Sequence, residues 1–221
     1  MPITVSYSGL GLYKQCPSAF QRKYVLKEPA MEPTPESAPA LFRGKAMHAE
    51  IEDLLEGRRD SLHGDMKFYE QFLSGLRSAG ATAENKFAFD HNWDRVDFDS
   101  EAAMIRGIDD AAILDQETKT LHVYDWKTGK KYPEHAEQRA LYGLAGLLTY
   151  PQAERTIVSH VYLDQRKTES TEFHADGTEG MKWMWERRCN KVQPPQPYPE
   201  TPSWKCKFCN YSQRNGGKCQ N

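Results

Sequence analysis

Gly107-Ile108-Asp109-Asp110, followed after a short polar segment by Asp125-Trp126-Lys127-Thr128-Gly129, constrains this chain more than any other feature. Residues 103 to 114 and 120 to 127 are apolar runs separated by Asp115-Gln116-Glu117-Thr118-Lys119, a pattern that predicts an antiparallel hairpin with a four- or five-residue loop. If Asp115 and Thr120 face each other across that loop, Asp110 lies opposite Asp125. Strand alternation puts Asp125 and Lys127 on one side, with Leu121 and Val123 behind them on the same face. The hairpin thus gathers Asp110, Asp125 and Lys127.

These residue types suit the hydrolysis of a phosphodiester. The substrate is anionic and repels hydroxide, so divalent cations are needed to neutralise charge and to lower the pKa of bound water. Carboxylates are hard oxygen ligands suited to Mg²⁺ or Mn²⁺, and Asp110 and Asp125 supply two. Lys127 is placed to orient the attacking water and to stabilise charge developing on phosphorus. The competing reading makes Asp109, Asp110 and Asp125 ordinary strand and turn acids, with Lys127 to Gly129 closing a strand.

Two helical patterns bear on that choice. Residues 41 to 56 form an amphipathic repeat with Met47, Ile51, Leu54 and Leu55 toward the core, and His48 borders that face. A lone histidine there is more often a packing residue than a ligand, unless the helix docks beside the acidic hairpin. Residues 134 to 149 form a second helix that puts Gln138 and Tyr142 one turn apart on one face.

Taken in order, His48 after Arg43-Gly44, the Gly107 to Asp110 element, Asp125-Trp126-Lys127-Thr128-Gly129 and Gln138-x-x-x-Tyr142 resemble the RecB-type nucleases of the PD-(D/E)XK superfamily. The likeness spans most of the chain. It implies an α/β (α+β) fold with a restriction-endonuclease-like core, a mixed central sheet flanked by helices. It also implies that His48, Asp110 and Asp125 are ligands of Mg²⁺ or Mn²⁺, that Lys127 is the catalytic lysine, and that Gln138 and Tyr142 contact the DNA strand. Glu84 begins the strand that often carries a supporting acid in this superfamily. Asp110 is preferred over Asp109 because the family pattern places the acid three residues after glycine.

The five cysteines form a second constellation. Cys206-Lys207-Phe208-Cys209 presents two thiolates to one metal, and Cys219 with Cys16 completes four ligands, whereas Cys189 stands apart on a helix between residues 180 and 192. Without a signal peptide or an even-numbered framework, disulfides explain the pattern less well. Four thiolates suit zinc or an iron–sulfur cluster equally. The resemblance favours a [4Fe-4S] cluster, because some RecB-type nucleases, the AddB branch and CRISPR-adaptation nucleases among them, hold one with a cysteine before the nuclease motifs and three after them. The Cys209 to Cys219 gap exceeds the usual family spacing, so structural Zn²⁺ and a role for Cys189 stay open. Either metal would make a lobe that staples the two termini together.

The 221 residues suit one nuclease domain spanning 1–221. It divides into an N-terminal helical segment at 1–40 that carries Cys16, a core at 41–193, and a proline-rich connector with a cysteine tail at 194–221. Within it, residues 3 to 27 read as largely helical from a cap at Ser6 to Ser8. Glu28 to Pro39 reads as a loop, 65 to 79 as a helix, and a first strand begins near Glu84. Thr156 to Asp164 reads as the last core strand. Mean hydropathy of −0.78 and the lack of a long apolar run exclude a membrane protein and predict a soluble one, placed by resemblance in the cytoplasm of a bacterium or a bacteriophage-infected host.

The formal net charge of −2 gives no global attraction to nucleic acid, so binding depends on local basic patches such as Arg187, Arg188 and Lys191 or Lys205 and Lys207. Trp183, Trp185 and Trp204 offer stacking surfaces to single-stranded bases, although most aromatics belong in a core.

The resulting expectation is a metal-dependent deoxyribonuclease, an exonuclease more than an endonuclease, acting on single-stranded DNA or DNA ends in repair, recombination or replication and among the proteins of those processes. Two alternatives remain beside it. One is a catalytically silent DNA-binding or complex-assembly subunit that keeps the fold; the other is an RNA-directed nuclease.

Overall fold

The hairpin anticipated from the sequence forms the middle of a five-stranded sheet. The computed structural model describes residues 2–30 and 32–220. Its strands are β1 (Thr82–Phe89), β2 (Ile105–Asp115), β3 (Thr120–Lys127), β4 (Arg155–Tyr162) and β5 (Lys167–His174), lying side by side in chain order. All neighbours are antiparallel except β3 and β4, which run parallel. A parallel pair needs a crossover, and here it is a helix, α5 (His135–Thr149). Counting along the chain, α1 is Tyr7–Gln15, α2 Pro17–Phe20, α3 Pro39–Leu55, α4 Glu70–Ser78 and α6 Thr178–Lys191.

Alternation along the strands builds two cores. Leu121 and Val123 of β3 and Val158 of β4 meet Leu141, Leu144 and Ala145 of α5 on one face, where Trp185 and Cys189 of α6 close the layer. Trp126 of β3 and Val161 of β4 point the other way, into Ile51, Leu54 and Leu55 of α3 and Leu73 and Leu76 of α4. Each fully buried aliphatic side chain contributes about 1.5–3 kcal/mol, so the sheet is held from both sides. Helix α5 approaches closely because it carries glycine where it crosses the sheet. A Cβ on Gly143 would sit 2.3 Å from Phe173 Cδ2, and one on Gly146 2.7 Å from Leu121 Cδ2.

The N-terminal segment joins the sheet through Val5, which bridges Ile105 beside β2. Ser6 caps α1 by accepting the Gly9 N–H, and the helix stops at Cys16, where Pro17 starts a new one. The chain then comes back from the far end. Gln193 exchanges hydrogen bonds with both backbone groups of Ile3, and Pro199 O accepts the Ser18 N–H, so the proline-rich connector runs along α1 and α2.

Two boundaries differ from expectation. β1 begins at Thr82 rather than near Glu84, and Tyr162 rather than Asp164 ends β4. β5 is an additional strand beyond the expected last one. It is an edge strand with alternating exposed and half-buried residues, Lys-Thr-Glu-Ser-Thr-Glu-Phe-His, and only Phe173 marks it as facing a core. Among the described residues no helix is long and apolar enough to cross a membrane.

Candidate active site

The β2–β3 ladder runs from Asp115–Thr120 to Ala111–Tyr124, as the turn residues predict, and then the strands part. Asp115 Oδ1 fixes the turn by accepting the N–H groups of Glu117 and Thr118. One step past the last ladder pair stand Asp110 and Asp125. Asp110 Oδ2 accepts the Trp126 N–H at 2.5 Å, so its carboxylate fills the gap between the separating strands. On the opposite side β1 pairs Ala83 with Ala111 and Asn85 with Asp109, which leaves Glu84 across from Asp110 with a left-handed φ of 50°. Such a conformation at a non-glycine residue costs on the order of 1–3 kcal/mol, and it falls at a row of acids. The row continues through Asp125, paired with His160 on β4, to Glu169 on β5.

Protein cations and donors meet these acids. Lys127 Nζ lies 2.5 Å from Asp125 Oδ2, and Gln138 Nε2 donates to Asp125 Oδ1 at 3.2 Å. Gln138 also donates to the Tyr142 hydroxyl at 2.9 Å, and that hydroxyl donates to Ile108 O at 2.8 Å. The glutamine–tyrosine pair therefore clamps β2 and β3 from α5. His48 Nδ1 stands 3.3 Å from Asp110 Oδ1.

Helix α3 reaches this point because its start is pinned. Arg43 makes a two-pronged contact to Asp164, at 3.0 and 2.5 Å, and Asp164 Oδ2 also accepts the Gly129 N–H at 2.8 Å. Gly44 lies against Thr128, where a Cβ would come within 3.0 Å of Oγ1. The segment around His48 and the end of β3 are thus tied through one carboxylate.

Burial dominates the electrostatics. Asp125 is 3% exposed, and loss of solvation lifts its pKa to about 6 even though Lys127 pulls the other way. Burial opposes charge on His48, yet the hydrogen bond and charge of Asp110, with Asp125 behind it, hold its pKa above the ordinary value. Glu84 is raised by burial, then by the charges of Asp110 and Glu52. A row of acids with Asp125 buried and Glu84, Asp110 and Glu169 half-buried favours whatever brings positive charge into it.

The expected side chains therefore stand together: His48, Asp110, Asp125, Lys127, Gln138 and Tyr142 form one connected set, with Glu84 beside Asp110. Asp109 stands elsewhere. It hydrogen-bonds to Asn85 Nδ2 at 2.8 Å and lines a small cavity with Ala145, Gly146 and Thr149 of α5. Burial first, and the neighbouring acids next, raise its pKa to about 7.

His160 is a member of the set that sequence reading missed. It is fully buried, its Nε2 lies 3.7 Å from Asp125 Oδ2 with no hydrogen-bond partner, and its Nδ1 faces Arg139 at 3.3 Å. Burial and then the charge of Lys127 depress its pKa to about 2, so the ring is neutral. In the sequence it sits in the apolar run of β4 and reads as a core residue; only the parallel register with β3 sets it beside Asp125.

In donor chemistry, two carboxylates and an imidazole suit a hard divalent cation. Among the described residues, though, no three His, Cys, Asp or Glu side chains are gathered as a ready metal cage. Lys127 lies against one acid and His48 against the other. At the other end of the molecule, Cys16, Cys206, Cys209 and Cys219 line a single small cavity, bounded also by Ser18, Arg22 and Tyr211. Cys189 lies apart, fully buried in the α6 core, where burial pushes its thiol to about 12.

A half-buried and a buried carboxylate, Asp110 and Asp125, stand with Lys127 at the point where two strands separate, clamped by a flanking helix. Consistent with this arrangement, the PD-(D/E)XK nuclease superfamily family model matches residues 4–214, and the chain belongs to that superfamily. Among solved structures it is similar to "Crystal structure of SSO0001" at 17% identity and a TM-score of 0.48, covering 94% of this chain and 83% of that one. It is similar also to "Putative exonuclease" from Eubacterium rectale at 12% identity and a TM-score of 0.47, covering 86% and 80%. A search of curated proteins gives no significant match.

Proposed function

We propose that the protein is a divalent-metal-dependent deoxyribonuclease that works on single-stranded DNA or DNA ends. The observation that carries the reading is the contact set at the parting of β2 and β3, where Lys127 Nζ meets Asp125 and His48 meets Asp110. Asp110, Asp125 and His48 would hold Mg²⁺ or Mn²⁺, with Glu84 in support. When bound, such an ion neutralises phosphate charge and makes water acidic enough to act near neutral pH.

The chain's own residues do the rest. Lys127 shares its position with Asp125 and donates hydrogen bonds toward a phosphoryl oxygen or the attacking water. Gln138 orients the Asp125 carboxylate through Oδ1 and keeps Tyr142 fixed against Ile108 O. Gln138 and Tyr142 border a cavity with Gly107 and Ile108, which suits contact with the strand beside the scissile bond. Exonuclease action, and a place in repair, recombination or replication, belong to this proposal through the resemblance.

The four cysteines border one cavity without being gathered as a ready metal cage, and their thiolate chemistry is the ground for proposing a [4Fe-4S] cluster or, second, structural Zn²⁺ there. Their donor chemistry is soft thiolate, and they come from both ends of the chain, so a metal there would close a loop of nearly the whole sequence. Cys189 is no part of that proposal.

Purified protein incubated with end-labelled single- and double-stranded DNA and RNA, in Mn²⁺ and in EDTA, tests the function. Mn²⁺-dependent digestion of single-stranded DNA that Asp125→Asn abolishes is the expected result. Digestion of RNA alone would favour an RNA-directed nuclease. DNA binding without cleavage of any substrate in Mn²⁺ or Mg²⁺ would leave a silent assembly subunit.

A further inference from the structure

Two cavities that share Tyr7 and Ser8 lie between the Gln138–Tyr142 pair and the cysteine-bearing tail. The first is bordered by Gln138 and Tyr142 and reaches Tyr7 and Ser8 at the start of α1. The second shares Tyr7 and Ser8 and continues as an open groove of about 870 Å³ between α1 and α6 as far as Thr201 and Lys205. Gln138, which borders the first cavity, hydrogen-bonds to Asp125, and Tyr7, which borders both cavities, donates its hydroxyl to Glu134 O.

The charge of this groove is opposite to that of the molecule. The whole chain is at −2, but the groove is bordered by Lys14, Arg188, Lys191 and Lys205 against Glu134 and Glu137. Arg188 answers Glu137 at 3.5 Å and is steadied on the Trp185 ring at 4.7 Å. Among the described residues no carboxylate lies within ion-pair range of Lys14, Lys191 or Lys205, and all three are exposed. Next to Lys205, two large aromatics face solvent. Trp204 is 69% and Phe208 66% exposed; their ring centroids are 6.1 Å apart, and Lys207 lies over both. An exposed tryptophan and phenylalanine carry a solvation cost that a stacking ligand would remove.

From this we infer that the α1–α6 groove is a second, non-catalytic binding site for a single nucleic-acid strand, remote from the scissile bond. Lys14, Lys191 and Lys205 track its phosphates, and Trp204 with Phe208 stacks its unpaired bases. Spaced lysines that lead to solvent-exposed aromatic rings fit a flexible polyanion with exposed π-faces; an acidic peptide would use the lysines and leave the rings unstacked. A duplex keeps its bases stacked inside and would likewise leave Trp204 and Phe208 unused. The inference rests on the nuclease reading for its direction, since Gln138 of the candidate centre borders the cavity next to the groove, but it makes a separate claim about binding.

The test is fluorescence anisotropy with a labelled single-stranded oligonucleotide in EDTA, which reads binding without cleavage. Lys14→Glu/Lys191→Glu should weaken binding by about tenfold or more and flatten the dependence of log K on log salt by about 1.4, or roughly 0.7 for each lost phosphate contact. Trp204→Ala should weaken binding by about tenfold with the salt slope unchanged, the mark of a stacking contact. Lys67→Glu/Lys167→Glu, an equal charge change on exposed lysines outside the groove, should leave the slope unchanged. Equal effects of the two double variants, or wild-type binding by the groove variants, would overturn the inference. If groove variants lose binding while the wild type cleaves nothing, the groove stands and the nuclease reading fails.

Discussion

At the residue scale, the adjacent aspartates separate by environment. Asp110 fills the gap between β2 and β3, whereas Asp109 is turned to α5 and buried against Asn85 with its pKa near 7. The sign of its effect on stability follows from proton uptake. Between the ordinary carboxylate pKa near 4 and about 7, the unfolded chain has released this proton while the folded chain keeps it. Stability therefore falls as pH rises through that window and stays lowered above it. Asp109→Asn keeps the contact to Asn85 and removes the cost, so in EDTA at pH 8 the variant should melt higher, by about 2–4 °C for each kcal/mol recovered. At pH 4 the two proteins should melt alike. Thermal scans across this range check the prediction, and a variant less stable at pH 8 would contradict it. His160 shows what a residue-level reading misses: nothing in Ser159-His160-Val161 tells a buried histidine that faces a carboxylate from one that only fills space.

Among the elements, α5 does more than cover the sheet. It connects β3 to β4, which makes that pair parallel and brings His160 beside Asp125, and it carries Gln138 and Tyr142 to the acids. Its approach is set by Gly143 and Gly146. Gly143→Ala should cost about 1–3 kcal/mol by forcing the added methyl into Phe173. Gly180→Ala in α6 has open space around it and should instead stabilise by about 0.5–1 kcal/mol. Urea titrations of the two variants should move their midpoints in opposite directions; a neutral Gly143→Ala would mean that α5 sits farther from the sheet than described. The same elements show where sequence was legible. The polar turn at 115–119 sets the hairpin register, so Asp110 and Asp125 were foreseeable as neighbours; helical periodicity put Gln138 and Tyr142 on one face and His48 at the border of a core face, while their placing beside the acids came from the resemblance alone. Register across a crossover is not encoded locally, which hid the β3–β4 pairing. β5 was hidden too, because an edge strand with one apolar residue shows little of the hydrophobic alternation that identifies strands.

On the scale of the whole molecule, the two chain ends converge away from the acids. Cys16 near the start and Cys206, Cys209 and Cys219 near the finish share a cavity, while Ile3 is tied to Gln193 and Ser18 to Pro199. If the cavity holds the proposed metal, Cys16→Ser should lose the bound iron or zinc and melt lower, whereas Cys189→Ser should keep its metal. Elemental analysis with visible absorbance checks this, and brown colour separates iron–sulfur from zinc. The charge distribution also makes sense only at this scale, since an acidic chain can bind a polyanion when its unpaired lysines line one groove. The central claim, that Asp110 with Asp125, Lys127 and His48 forms the cleaving centre, is tested most directly by single-turnover cleavage of one labelled single-stranded DNA in Mn²⁺ by wild type, Asp110→Asn and Asp109→Asn. Loss of at least about 10²-fold for Asp110→Asn with near-wild-type rates for Asp109→Asn is the predicted result. An active Asp110→Asn enzyme beside an inactive but folded Asp109→Asn enzyme would contradict it.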